Sequence, residues 1–218
     1  MNGTTACKWD SVIPFEPMWE RLNKLIKPNG AIVLFGSEPF SSALRMSNIK
    51  NYKYDWIWEK EQGSNFMQAK KQPLKSHEII SIFYKSQPLY IPQMIDVGIA
   101  WKKSDTGKNT IGHLNKKEKR LDKSSNGTLR YPKSILRFIR IRNGLHQTQK
   151  PVALMEYLVK TYTNENETVL DFTSGSGTTA VACGNTNRRW ICIEKDTDDK
   201  GNILGYCDIT VDRLKEGE

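Results

Sequence analysis

Asp171, Phe172, Thr173, Gly175, Gly177, Thr178 and Thr179 fall in one stretch, TVLDFTSGSGTTAVAC at 168–183, and a further carboxylate, Glu194, follows it. These residue types at this spacing suit a nucleoside-bearing cofactor. Glycines at 175 and 177 let the backbone turn sharply and leave no Cβ in the way of a ligand. Thr178 and Thr179 open a helix whose first N–H groups have no intrahelical partner. A carboxylate at the end of the next strand can accept both hydroxyls of a ribose. An ordinary glycine turn between strand and helix accounts for the same spacing without a ligand. The chain has no G-x-x-x-x-G-K-[ST], which argues against a nucleotide-hydrolysing P-loop.

Residues 15–26 place Phe15, Met18, Trp19, Leu22, Leu25 and Ile26 on one helical face, with Pro17 in the first turn and Pro28-Asn29-Gly30 as the stop. The continuous apolar run Ala31–Gly36 reads as a strand buried on both faces. Ser37 is the expected cap of a second helix. YKYDWIWEK alternates Tyr52, Tyr54, Trp56 and Trp58 on one face of a strand, and residues 77–85 form another strand. The pattern fades between about 87 and 130. A helix at 151–162 then carries Val152, Met155, Leu158, Val159 and Tyr162, with Pro151 at its start. Strand 168–172, helix 178–184, strand 189–194 and a final helix near 209–215 complete the chain.

The chain has 218 residues, 38% of them hydrophobic, and six Trp, enough for one domain or one domain with a large insertion. No run of about 18 apolar residues occurs, so no membrane-spanning helix is expected. Cys7, Cys183, Cys192 and Cys207 show no C-x-x-C spacing; the expectation is reduced, mostly buried thiols in a cytoplasmic protein, with no metal site. The net charge of +9 is uneven. Residues 101–145 hold 13 Lys/Arg against 3 Asp/Glu, while the remainder is nearly neutral. That segment is either a polyanion-binding face or a solvated, partly disordered loop.

DFTSGSGTT, together with HQTQKPVALMEYLVKTYT upstream, resembles the S-adenosylmethionine site of the amino-group DNA methyltransferases, which modify adenine N6 or cytosine N4. GTTACKWDSVIPFEPMWERLNKLIKPNGAIVLFGSEPFSSAL is similar to the segment after the catalytic motif in the permuted, beta-like subgroup. The resemblance covers most of the chain and is weakest over about 87–130. It implies a Rossmann-like α/β fold with a mostly parallel sheet. Residues 1–86 would be the half following the catalytic motif, 87–130 a basic target-recognition insertion, and 131–218 the cofactor half.

The resemblance also assigns roles. Asp171, Phe172, Thr173, Gly175 and Gly177 form the cofactor loop, Thr178 and Thr179 contact the methionine portion, and Glu194 holds the ribose. Gln149, Lys150 and Pro151 complete the pocket, although a plain helix start explains them on spacing alone. Lys102, Lys103, Lys116, Lys117, Lys119, Arg120, Lys123 and Arg130 are the expected contacts to double-stranded DNA. Adenine is favoured over cytosine because Gly3-Thr4-Thr5-Ala6-Cys7-Lys8-Trp9 is similar to adenine-type members. A cognate restriction enzyme is a further expected partner.

The family's catalytic motif is Asp-Pro-Pro-Tyr followed by glycine. An exocyclic base amine is a weak nucleophile because its lone pair is delocalised into the ring. A carboxylate and a backbone carbonyl draw its protons, and the aromatic ring stacks on the flipped base. Gly3 aligns with the glycine after this motif, Asn2 with the aromatic and Met1 with the last proline. No catalytic residue is therefore nominated; neither Asp10 nor Cys7 matches a catalytic position. The strand leading into that motif lies at the sheet centre in this family. Strands 31–36 and 168–172 are thus expected to lack a shared partner. Three accounts follow: a longer gene product, which is favoured; a strand supplied by another chain, a homodimer included; or a reorganised sheet.

Overall fold

A computed structural model describes residues 13–98, 127–142, 144–146, 148–198 and 200–216. Pro92–Pro132 separates as its own compact unit from the rest of the chain.

The main unit is an α/β fold. Helix α1 spans Phe15–Leu25 and α2 Phe40–Ser47; strands β1, β2 and β3 span Ile32–Gly36, Tyr52–Ser64 and Lys75–Phe83. With β6 (Ile135–Arg137) they form a four-stranded sheet in the order β1-β3-β2-β6. β3 is antiparallel to both neighbours, and β2 is parallel to β6. β1, β2 and β6 therefore point the same way, with β3 reversed between them. The α3 helix (Val152–Tyr162), β7 (Thr168–Asp171), α4 (Thr178–Asn185), β8 (Arg189–Cys192) and α5 (Tyr206–Glu216) follow. β7 and β8 form a parallel pair, Thr168↔Arg189 to Asp171↔Cys192.

Period-two alternation divides the sheet's apolar residues between two cores. Trp56, Trp58, Ile80, Ile82 and Leu136 meet Leu154, Leu158 and Tyr162 of α3 on one face. Phe83 meets Trp19, Leu22 and Leu44 of α1 and α2 on the other. Trp56, Tyr54 and Tyr162 pair their polar groups in the first core: Trp56 Nε1 donates to Tyr162 Oη at 2.7 Å, and the Tyr54 and Tyr162 hydroxyls lie 2.8 Å apart. Burial drives the Tyr162 hydroxyl pKa upward, so it stays a neutral hydrogen-bonding group.

Three expectations change. Tyr52 does not share the face of Tyr54, Trp56 and Trp58. A register irregularity between Tyr52 and Tyr54 turns it to the α1/α2 core, where its hydroxyl donates to Asp55 Oδ2 at 2.9 Å. Ser37 does not cap α2; Pro39 holds that position, and the Glu38 carboxylate accepts the Ser42 N–H at 3.1 Å. Ile32–Phe35 is half-buried rather than fully buried. Side chains of β1 reach both cores, so the exposure comes from its edge. Among the described residues β1 pairs with β3 alone and β7 with β8 alone. Each leaves one row of N–H and C=O groups without a strand neighbour among the described residues.

In the second unit, β4 (Ile95–Asp96) and β5 (Leu129–Arg130) form a short antiparallel pair. No helix of the described residues is long and apolar enough to cross a membrane. Cys183 is buried, but Cys207 is exposed because it sits on the outer side of the first turn of α5.

Candidate cofactor site

The loop between β7 and α4 is built around two left-handed glycines, Gly175 at φ +53° and Gly177 at φ +75°. Other L-residues adopt this conformation only with strain. Asp171, at the end of β7, holds the loop from below. Its Oδ1 accepts the Thr173 N–H at 3.1 Å, and its Oδ2 accepts the Thr179 hydroxyl at 2.5 Å. Glu194, just past β8, accepts the Gly175 N–H at 2.6 Å through Oε2, and its Oε1 takes the Lys195 N–H at 3.2 Å. Parallel pairing of β7 with β8 is what brings Asp171 and Glu194 to one edge. There they meet the strand carboxyl ends, where open α/β sheets bind ligands.

Phe172 packs against the α1/α2 core, so its ring anchors the loop to the body. Thr178 and Thr179 are buried, at 6% and 4% exposure. Thr179 is bonded to Asp171, and the Thr178 hydroxyl accepts from Arg213 at 3.4 Å. Thr173, by contrast, is exposed, and Asp171 and Glu194 are half-buried.

Pro151 is the N-cap residue of α3. Gln149 faces its own loop, where its Oε1 accepts the Leu145 N–H at 2.7 Å. Lys150 Nζ donates to Thr148 O at 2.9 Å, lies 3.3 Å from Glu78 Oε2, and sits 5.3 Å from the centre of the Phe35 ring. Glu78 also meets Lys60, at 2.5 Å. Burial alone would raise the Glu78 pKa, but the Lys150 and Lys60 ammoniums overturn that and hold it below the usual carboxylate range.

Sequence reasoning missed several residues that complete the site. An ideal Cβ on Gly175 would lie 3.4 Å from His146, and the His146 ring meets Tyr206 edge-on at 4.6 Å. Burial lowers the His146 pKa; Glu194 opposes this and Lys150 reinforces it. Helix α5 clamps the loop from behind. Arg213 donates to Ser176 O at 2.6 Å, and Thr210 packs on Gly177. Asp196 receives the Tyr206 N–H at 2.6 Å and so sets the start of α5. His146 opens the HQTQKP stretch and was within reach of a motif reading. Arg213 and Tyr206 carried no signal beyond helical periodicity.

Of the expected DNA contacts, Arg130 lies among the described residues; its guanidinium donates to Gly127 O and Leu129 O. Lys102, Lys103, Lys116, Lys117, Lys119, Arg120 and Lys123 lie outside them, as do Met1, Asn2, Gly3, Cys7 and Asp10. Among the described residues no His/Cys/Asp/Glu group could hold a metal ion.

A family described as DNA methylase, of the N6/N4 type, matches residues 6–200. The type II methyltransferase M.HindIII of Haemophilus influenzae is 41% identical over 71 residues, which span 33% of this chain and 21% of that protein. The matched segment is therefore a minor part of that relative's length. The crystal structure of the M1.HpyAVI–SAM complex superposes with a TM-score of 0.59 at 23% identity, over 95% of this chain and 86% of that one. The cytosine-N4-specific PvuII DNA methyltransferase gives 0.57 at 19% identity, over 94% and 76%. These likenesses establish the Rossmann-like methyltransferase fold.

Proposed function

The chain belongs to the N6/N4 DNA methylase family, a family of S-adenosylmethionine-dependent enzymes, and we propose that it binds this cofactor on the Asp171–Thr179 loop to serve methylation of an exocyclic amine in double-stranded DNA. Adenine N6 is the proposed target, with cytosine N4 as the alternative. The observation that carries the reading is the convergence of Asp171, Gly175 and Glu194 on the open edge of a parallel strand pair.

The residues present fit the cofactor. Gly175 and Gly177 let the loop take its two left-handed turns, with His146 and Thr210 packed where their Cβ atoms would stand. Glu194 retains acceptor capacity for ribose hydroxyls. Bound S-adenosylmethionine supplies a methyl group on a positively charged sulfur. The chain's own work is to orient it. Asp171 and Arg213 hold the loop in shape, and His146 with Tyr206 closes the side next to Gly175. The Lys/Arg-rich 101–145 segment is assigned to phosphate contacts, and Gln149, Lys150 and Pro151 to the rim of the pocket.

The open edges of β1 and β7 among the described residues favour a second reading. In it the chain binds cofactor and DNA without itself transferring the methyl group. One experiment separates them. Tritiated methyl transfer to mixed-sequence DNA is measured for this chain and for a form extended by a strand ending in Asp-Pro-Pro-Tyr, with Gly175→Asp as the blank. Transfer in the extended form alone supports a methyltransferase completed by that strand. Transfer by this chain well above the blank refutes the second reading. Failure of both forms to bind S-adenosylmethionine by calorimetry refutes the cofactor site itself.

A further inference from the structure

The β2–β3 hairpin reaches beyond the sheet. Pairing of β2 with β6 ends at Glu59↔Arg137, yet β2 continues to Ser64, which is about 16 Å further at the usual strand rise. Its outer part is braced by Arg140, whose N–H donates to Glu61 at 3.0 Å and whose guanidinium donates to Gln62 at 2.8 Å. The tip is ordered by its own backbone. Asn65 is left-handed, Phe66–Gln68 forms a 3-10 turn, and Lys71 N donates to Gln68 O at 2.8 Å. This backbone holds two adjacent apolar side chains outward, Phe66 at 77% and Met67 at 89% exposure, with Leu74 beside them at 45%. Three lysines, Lys70, Lys71 and Lys75, lie in the same hairpin, and residues 62–77 contain no carboxylate.

β2 runs in the same direction as β1, so the hairpin leaves the sheet at the end where Phe35 and Gly36 lie. Lys60, Glu78 and Lys150 tie its base to the loop that carries His146 onto Gly175. The base of the hairpin thus lies beside the loop that contacts Gly175.

We propose that this tip is a DNA-contacting wedge, in which Phe66 and Met67 press against an unstacked base while Lys70, Lys71 and Lys75 neutralise phosphates. The inference rests on DNA being the substrate. An enzyme that modifies a base must take it out of the stack, and apolar side chains inserted at a base step are a recurrent way of opening one. The hairpin's lysines supply the charge complementarity that a bare apolar patch lacks.

The test uses the full chain and fluorescence anisotropy on a duplex of about 30 base pairs, either perfect or carrying a short central mismatch, over a series of salt concentrations. The parent is expected to prefer the mismatched duplex. The Phe66→Ser/Met67→Ser variant should lose that preference and bind the mismatched duplex about tenfold more weakly, with an unchanged salt slope. Lys70→Gln/Lys71→Gln/Lys75→Gln should instead reduce the slope of log K on log salt by about 2.7. Phe66, Met67, Lys70 and Lys71 are exposed and Lys75 is half-buried, so circular dichroism should report an unaltered fold. Equal binding of both duplexes by parent and wedge variant overturns the proposal alone. A parent that binds neither duplex overturns it together with the DNA reading. Capture of the parent, but not the wedge variant, by phosphatidylserine vesicles with DNA binding unaffected also overturns it and assigns the tip to a lipid surface.

Discussion

Gly177→Ala tests whether α5 holds the cofactor loop through direct packing. A Cβ at this position would stand 2.3 Å from Thr210 Cγ2, 2.6 Å from its Oγ1 and 2.8 Å from its Cβ, with φ at +75°. The left-handed conformation costs a non-glycine residue about 1–2 kcal/mol, and forcing atoms into a packed interface costs about 1–3 kcal/mol more. Together these predict a loss of about 2–5 kcal/mol. At this chain length that lowers Tm by about 4–20 °C. Thr210→Ala removes the two nearest atoms and leaves the third. It should therefore relieve part of the clash and none of the backbone strain. In the double variant the coupling is expected to be about 1–2 kcal/mol in the favourable direction. The assay is urea unfolding of the parent, both single variants and the double variant, with S-adenosylmethionine affinity by calorimetry alongside. Strictly additive losses would refute the packing account. So would a Gly177→Ala variant with parental stability and affinity.

Other consequences are open to simpler measurements. Glu78→Gln leaves Lys60 and Lys150 facing a neutral amide in a half-buried site, and should cost about 3 kcal/mol. The folded-state pKa of Glu78 is depressed, so its contribution is present above the unfolded carboxylate value and is lost as pH falls through the folded one. The parent's stability should therefore drop below about pH 4.5 more steeply than the variant's, read by thermal melts across pH. Tyr162→Phe removes the acceptor of the Trp56 indole N–H and the partner of the Tyr54 hydroxyl, and should cost about 1–3 kcal/mol in urea unfolding followed by Trp fluorescence. Arg213→Met leaves the Ser176 carbonyl without that donor. It should weaken S-adenosylmethionine binding several-fold in calorimetry, with a stability loss of about 1–3 kcal/mol. Parental affinity in this variant would remove Arg213 from the loop's support.

The sequence by itself determined the local pieces. Helical spacing in 15–26 and 151–162, alternation in 54–58 and the glycine pair at 175 and 177 each became the expected element within a few residues. Those patterns are local because a side chain's face depends only on its position in the chain's own repeat. Asp171, Gly175 and Glu194 were also legible, since one strand, one turn and the next strand place them. Tertiary structure alone decided the rest. The order β1-β3-β2-β6 depends on pairings between segments far apart in the chain. One register irregularity sent Tyr52 to the opposite core from Tyr54. His146, Tyr206 and Arg213 gather around the loop only after α5 has folded back onto it. Such contacts arise from the three-dimensional meeting of faces, and a one-dimensional period carries no record of which face a residue will meet.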